Sequence, residues 1–201
     1  MIPWTHDRLC QRAIRWLSGT RRCKPIFSNC ASCSEIPDAI GWASAYRWHG
    51  STVIECKMSM SDFYADQRKY FYWRKKGVEH RLYNFRSTRM TEKEAAREGY
   101  EAIPLPRMGN YRFYMCPVGV IPADKVREKA PDHGLLYCDG PFVKVIVPAP
   151  RRAAEWTDLE SEIRFLRFTI INGKQPYEKT ACPVIRPQLF PKETTDALPL
   201  D

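Results

Sequence analysis

The stretch Ile36-Pro37-Asp38-Ala39-Ile40-Gly41-Trp42, followed after a gap by Ser51-Thr52-Val53-Ile54-Glu55-Cys56-Lys57, decides how the chain is organised. Both segments read as strands, near 36–42 and 51–57, joined as a hairpin. Side chains alternate along a strand, so Val53, Glu55 and Lys57 share one face while Ile54 and Cys56 share the other. An acid and a lysine at the exposed end of an apolar strand are costly to place there unless something pairs with them. Asp38, on the preceding strand, offers a second carboxylate, and the hairpin therefore reads as an element that holds a metal. Cys56 points away from that face and reads as core rather than as a nucleophile.

Composition bounds what surrounds this hairpin. At 201 residues the chain can bury a sizeable core, and one domain over 1–173 with a tail over 174–201 is expected. Lysine and arginine number 32 against 23 acids, a net charge of +9, which favours a polyanionic partner. Met1 to Arg8 holds no long apolar segment, and nowhere does the chain approach the ~18 apolar residues of a membrane span. A cytoplasmic protein with no membrane partner is expected. In that compartment eight cysteines point to reduced thiols or a metal rather than to disulfides.

Upstream of the hairpin, Leu9, Ala13, Trp16 and Leu17 recur at helical spacing between Thr5, a capping residue, and Gly19, which predicts a helix over 5–18. Arg8, Arg12 and Arg15 lie on its other face, as a solvated face or as phosphate contacts. A strand is expected near 23–28. Cys30 and Cys33 form a CxxC with Cys23 seven residues before Cys30. A structural zinc on Cys23, Cys30 and Cys33 needs a further ligand from Cys10, Cys56 or His49, and buried free thiols are the alternative. His6, His49, His80 and His133 are scattered along the sequence and suggest no catalytic site by spacing. The hairpin connection, 43–50, is rich in aromatic and basic residues suited to stacking on bases or to packing on a neighbouring helix.

Downstream, Ser59 with Asp62 reads as a capping box, so a helix begins almost directly after Lys57, with Phe63, Asp66, Gln67 and Tyr70 on one side. A strand that ends in a charged pair and turns into a helix N-terminus creates a place for anions. From Arg68 to Met90 there are eight lysines or arginines against the single acid Glu79, interleaved with aromatic residues. Arg68, Lys69, Tyr72, Trp73, Arg74, Lys75, Lys76, Arg81, Arg86 and Arg89 thus suit a nucleic acid, cations meeting phosphates while rings stack on bases. The alternative is a helix with a solvated basic face followed by a loop. An insertion over about 75–109 holds a short helix at 91–99; strands are expected at 111–117, 134–140 and 142–147, with a short helix over 121–130. Thr157-Asp158-Leu159-Glu160 opens a helix to about 171, and the proline-rich tail beyond 174 reads as extended or disordered.

The order helix, strand, strand with Pro37-Asp38, strand with Glu55-Cys56-Lys57, helix, strand resembles the PD-(D/E)xK nuclease superfamily. The segment Ile54 to Asp66, with Tyr111-Arg112-Phe113-Tyr114 and Gly134-Leu135-Leu136, is similar to the MmcB-like DNA-repair branch and related phage and prophage proteins, over about 5–147. The resemblance implies an α/β, restriction-endonuclease-like core: a mixed central sheet flanked by helices, in the order α-β-β-β-α-β, with the insertion and a C-terminal helix added. It implies Mg²⁺- or Mn²⁺-dependent hydrolysis of DNA phosphodiesters in a bacterial or phage-infected cell, in repair or in phage or mobile-element DNA processing; apart from the resemblance, the C-terminal helix packs either on the body or on another copy of the chain, as in a homodimer. Asp38, Glu55 and the main-chain carbonyl of Cys56 are then the metal ligands, hard oxygens of the type these ions prefer, and Lys57 steadies the attacking water and the charge on phosphorus. Family members often carry a glutamate on the first helix; here none is present, and Glu35 is the substitute candidate. A non-catalytic DNA-binding protein of the same fold is the alternative.

Overall fold

The computed structural model describes residues 3–29, 35–44, 49–67, 71–75, 82–84, 92–104 and 106–172. The chain begins with α1 (His6–Gly19), capped by Thr5, whose hydroxyl accepts the Arg8 N–H at 3.3 Å. Its apolar stripe, Leu9, Cys10, Ala13, Ile14, Trp16 and Leu17, is buried throughout. Two short antiparallel pairings follow: β1 (Ile26–Phe27) with β2 (Ala39–Ala43), and β2 with β3 (Gly50–Cys56). The expected first strand over 23–28 is only two residues long, although Lys24 and Pro25 also bond to the Trp42 backbone.

After β3 come α2 (Met60–Gln67), β4 (Phe71–Lys75), β5 (Leu82–Asn84), α3 (Glu92–Arg97) and β6 (Tyr100–Pro104). Strands β5, β4 and β6, in that order, form a separate antiparallel three-stranded sheet. The Phe-Tyr-Trp run opening β4 favours a pleated strand over the basic helix read as one alternative for this segment. The chain then returns through β7 (Tyr111–Pro117), α4 (Ala123–Lys129), β8 (His133–Asp139), β9 (Phe142–Val147) and α5 (Leu159–Asn172).

The main sheet is mixed, in the order β1-β2-β3-β7-β8-β9, with β3, β7 and β8 parallel and both outer flanks antiparallel. Helices cover it on both sides, the α/β arrangement expected. Ile54 and Cys56 of β3, Phe113 and Met115 of β7, and Leu136 of β8 meet α1 on one face. On the other face Phe63 of α2 and Val126 of α4 pack on Tyr114, Cys116 and Leu135, while Phe165 of α5 packs on Phe27, Ile40, Val53 and Met108. At the sheet's two ends lie β1, with only two residues, and β9, which leaves Phe142 and Val145 72% and 46% exposed. Among the described residues no helix is long and apolar enough to cross a membrane.

Candidate active site

Register places the chemistry. Ala39 pairs with Ile54, so Asp38, one residue ahead of β2, lies beside Glu55 near the end of β3. Val53 pairs with Arg112 and Glu55 with Tyr114 across the parallel β3–β7 ladder, and alternation puts Glu55, Lys57, Arg112 and Tyr114 on one face. Lys57 prolongs that ladder, its N–H donating to the Met115 carbonyl at 2.9 Å. This is the face covered by α2, which delivers Asp66.

The sequence predicted Glu55 and Lys57 at an exposed strand end; the structure buries them, at 4% and 2% exposure. The reason is the charge network around them. Lys57 Nζ donates to Asp66 Oδ1 at 3.1 Å and stands 3.6 Å from Glu55 Oε2. Tyr114 donates its hydroxyl to Asp66 Oδ2 at 3.1 Å. Arg112, fully buried, donates from Nη2 to Glu55 Oε1 at 3.4 Å and from Nη1 to Glu35 Oε1 at 3.0 Å. Within this network each buried charged group meets a group of opposite charge, the condition under which such groups are tolerated.

Burial, followed by the nearby Asp38 and Asp66 carboxylates, pushes Glu55 up to about 8. Burial alone would lower Lys57, but the carboxylates of Glu55, Asp66 and Asp38 outweigh it and hold the ammonium firmly protonated. Glu35 occupies a different place from the one expected of a metal ligand. Its Oε1 accepts the Met108 N–H at 2.6 Å as well as Arg112, so it fixes the loop before β7.

Asp38 reaches round the end of the sheet toward α1. Its Oδ2 accepts the Cys56 N–H at 2.7 Å and lies 3.3 Å from His6 Nε2. His6 Nδ1 is in turn 3.5 Å from Cys10 Sγ. Hydrogen bonding to Asp38 and to Cys10 raises His6 to about 11, so the imidazolium is the resting form. The Cys56 main chain, expected as a carbonyl ligand, serves through its N–H as an anchor for Asp38.

His133 completes the network from β8. Its ring stacks on Tyr114 with centroids 4.7 Å apart, and Arg112 Nε donates to its Nε2 at 3.2 Å. An arginine only donates, so Nε2 is the acceptor and Nδ1 carries the proton facing Asp132 Oδ1 at 2.7 Å. Burial lowers His133 to about 4 despite Asp132, so the ring is neutral at pH 7. The unfolded chain protonates near 6.5 and therefore binds more protons than the folded one between 6.5 and about 4. Stability is fully present above 6.5 and falls as pH drops through that window, by on the order of 3 kcal/mol. Glu55 contributes a slope of the opposite sign over part of this range, so the check is the difference between wild type and His133→Asn: urea midpoints measured from pH 7.5 to 4 are expected to show wild type losing stability relative to the variant as pH drops.

The structure thus brings Asp38, Glu55 and Lys57 to one end of the hairpin. Cys23 is buried in the core against α1, while Cys30 and Cys33 lie outside the described residues, as do Arg68, Lys69, Lys76, Arg81, Arg86, Arg89 and 45–48 of the hairpin connection. Tyr72, Trp73, Arg74 and Lys75 belong to β4. Sequence reasoning missed Arg112, Tyr114 and His133 as site residues. The one available signal was an arginine and a tyrosine at alternating positions of an otherwise apolar strand. It also dismissed His6, whose i,i+4 spacing to Cys10 on a capped helix was the readable clue.

No family model matches the chain, and no curated protein matches its sequence. Among solved structures the chain is similar to the SPO1766 protein of unknown function from Silicibacter pomeroyi, with a TM-score of 0.48 and 15% identity over 84% of this chain and 87% of that one.

Proposed function

We propose that the chain is a metal-dependent DNA nuclease with a restriction-endonuclease-like core, working in the cytoplasm in repair or in phage or mobile-element DNA processing. The observation that carries this reading is the β2–β3 register, which sets Asp38 beside Glu55 with Lys57 Nζ 3.6 Å from Glu55. The donor set fits a hard divalent cation. The β2–β3 register brings two carboxylates, Asp38 and Glu55, to one end of the hairpin, hard oxygen donors of the kind such a cation takes. Asp38 and Glu55 are then the residues that hold Mg²⁺ or Mn²⁺, which when bound polarises a phosphate and acidifies a water.

The rest follows from the chain's own groups. Lys57 keeps its proton and presents a positive charge to the non-bridging phosphate oxygens, where negative charge grows during displacement. Asp66 and Tyr114 hold that ammonium in place, and Arg112 orients the Glu55 carboxylate from the opposite side. The Cys56 N–H fixes Asp38 in the same way. Basic and aromatic residues between Arg68 and Arg89 supply the contacts to the DNA backbone and bases.

The test is cleavage of single-stranded, nicked and branched DNA with Mg²⁺ or Mn²⁺. Asp38→Ala, Glu55→Ala and Lys57→Ala are each expected to lower the rate by about 10²–10³-fold. Cleavage that survives all three substitutions removes the nuclease reading. A second reading, a DNA-binding protein of this fold without turnover, draws on the near-complete burial of Glu55 and Lys57 within internal ion pairs. DNA binding with no cleavage under any metal selects it.

A further inference from the structure

One cluster of metal-binding side chains lies on the α1 side of the sheet, outside the Glu55–Lys57–Arg112 network. His6 and Cys10 stand one turn apart on α1 and so share a face. Asp38 reaches them from the start of β2. One ligand atom from each of His6, Cys10 and Asp38 can be chosen so that all three lie within 4.8 Å of one another. His6 Nε2 is 3.3 Å from Asp38 Oδ2, and His6 Nδ1 is 3.5 Å from Cys10 Sγ. A tetrahedral cation with bonds of ~2.0–2.3 Å takes one ring nitrogen and holds its donors roughly 3.3–3.8 Å apart, so the half-exposed His6 ring turns from bridging Asp38 and Cys10 to face both with one nitrogen. Cys56, on the α1 face of β3, packs in the same core cluster as Cys10, and the three-residue set leaves a fourth position open.

We propose that His6, Cys10 and Asp38 bind a borderline transition-metal dication of the zinc class. Donor chemistry decides the class: imidazole and thiolate suit Zn²⁺, whereas Mg²⁺ takes oxygen ligands. Access is provided by His6, whose side chain is 44% exposed while Cys10 is fully buried, so a cation enters past the ring and meets the sulfur behind it. Binding replaces the present hydrogen bonds by coordination, and the imidazolium and thiol protons leave to solvent. The bound ion ties α1 to the strand that carries Asp38. The site shares Asp38 with the proposed nuclease centre but depends on neither Glu55 nor DNA cleavage.

The test uses the full chain, stripped with chelator and titrated with Zn²⁺ and with Co²⁺ as a spectroscopic probe. Roughly one Co²⁺ per chain is expected, with a thiolate-to-cobalt charge-transfer band in the near ultraviolet and displacement by Zn²⁺. Cys10→Ser abolishes the band, and His6→Gln, at a half-exposed position that leaves the core intact, weakens affinity by at least about tenfold. Glu55→Gln leaves both unchanged. The proposal is overturned by a cobalt complex with no thiolate band, by a band or affinity indifferent to His6→Gln, or by binding lost on Glu55→Gln instead. Should Cys10→Ser fail to fold, His6→Gln decides alone. Cleavage by the same variants is scored separately, so failure of the metal site and failure of the nuclease reading are distinguishable.

Discussion

Arg112→Ala is expected to lower the unfolding free energy by about 3–5 kcal/mol, the cost of stranding buried charges that have lost their partner. The guanidinium is fully buried and does four things at once. It pairs with Glu35 at 3.0 Å, and donates to Glu55 at 3.4 Å, to the Met108 carbonyl at 2.6 Å and to His133 Nε2 at 3.2 Å. Alanine leaves the Glu35 carboxylate, the Glu55 carboxyl, a carbonyl and an imidazole nitrogen facing a cavity. Arg112→Lys keeps the charge but loses the planar fork, so it reaches one or two of these acceptors and falls between wild type and alanine. Urea unfolding followed by far-ultraviolet circular dichroism measures the series. A loss below about 1 kcal/mol for alanine means that the acids are satisfied otherwise and that the network has been misread.

Glu55→Gln is expected to move stability and activity in opposite directions. In the folded chain Glu55 keeps its proton up to about 8, against an ordinary value of 4.5. Between those values the folded state binds more protons than the unfolded one, so stability falls as pH rises through the window. Glutamine cannot ionise, and it keeps an oxygen for Arg112 while Lys57 keeps Asp66. In chelator at pH 9 the variant should therefore be more stable than wild type by upwards of ~1 kcal/mol, with no difference at pH 4. Its metal-dependent cleavage should fall by about 10²–10³-fold. Equal stability at pH 9 means that Arg112 and Lys57 fully compensate the ionised carboxylate, and removes the strain argued for this site.

Periodicity made most of the scaffold legible. The helix after Thr5, the hairpin, the helix starting after Ser59, the strands at 111–117 and 142–147 and the C-terminal helix each follow local pattern and capping. What local pattern could not supply was which strands become neighbours. The β3–β7 pairing joins residues separated by the whole β4–β6 sheet, and it is this pairing that brings Arg112 and Tyr114 onto Glu55. The same limit explains the exposed end predicted for Glu55 and Lys57. A charged pair on a strand reads as surface until its partners, Asp66 and Arg112, are placed by tertiary contact. The spacing of the histidines to one another hides His6, whose companions are a cysteine one turn on and an aspartate thirty-two positions away.

The unequal ends of the main sheet bear on handling of the protein. Strand β1, two residues long, offers almost no template on which a foreign strand could grow. Strand β9 has six residues, with Phe142 and Val145 turned outward and only Lys144 between them as a charged gatekeeper. Of the main sheet's two edges, β9 is therefore the one prone to pairing with a second copy at high concentration. A polar residue in place of Phe142 addresses it without touching any side chain of the candidate site.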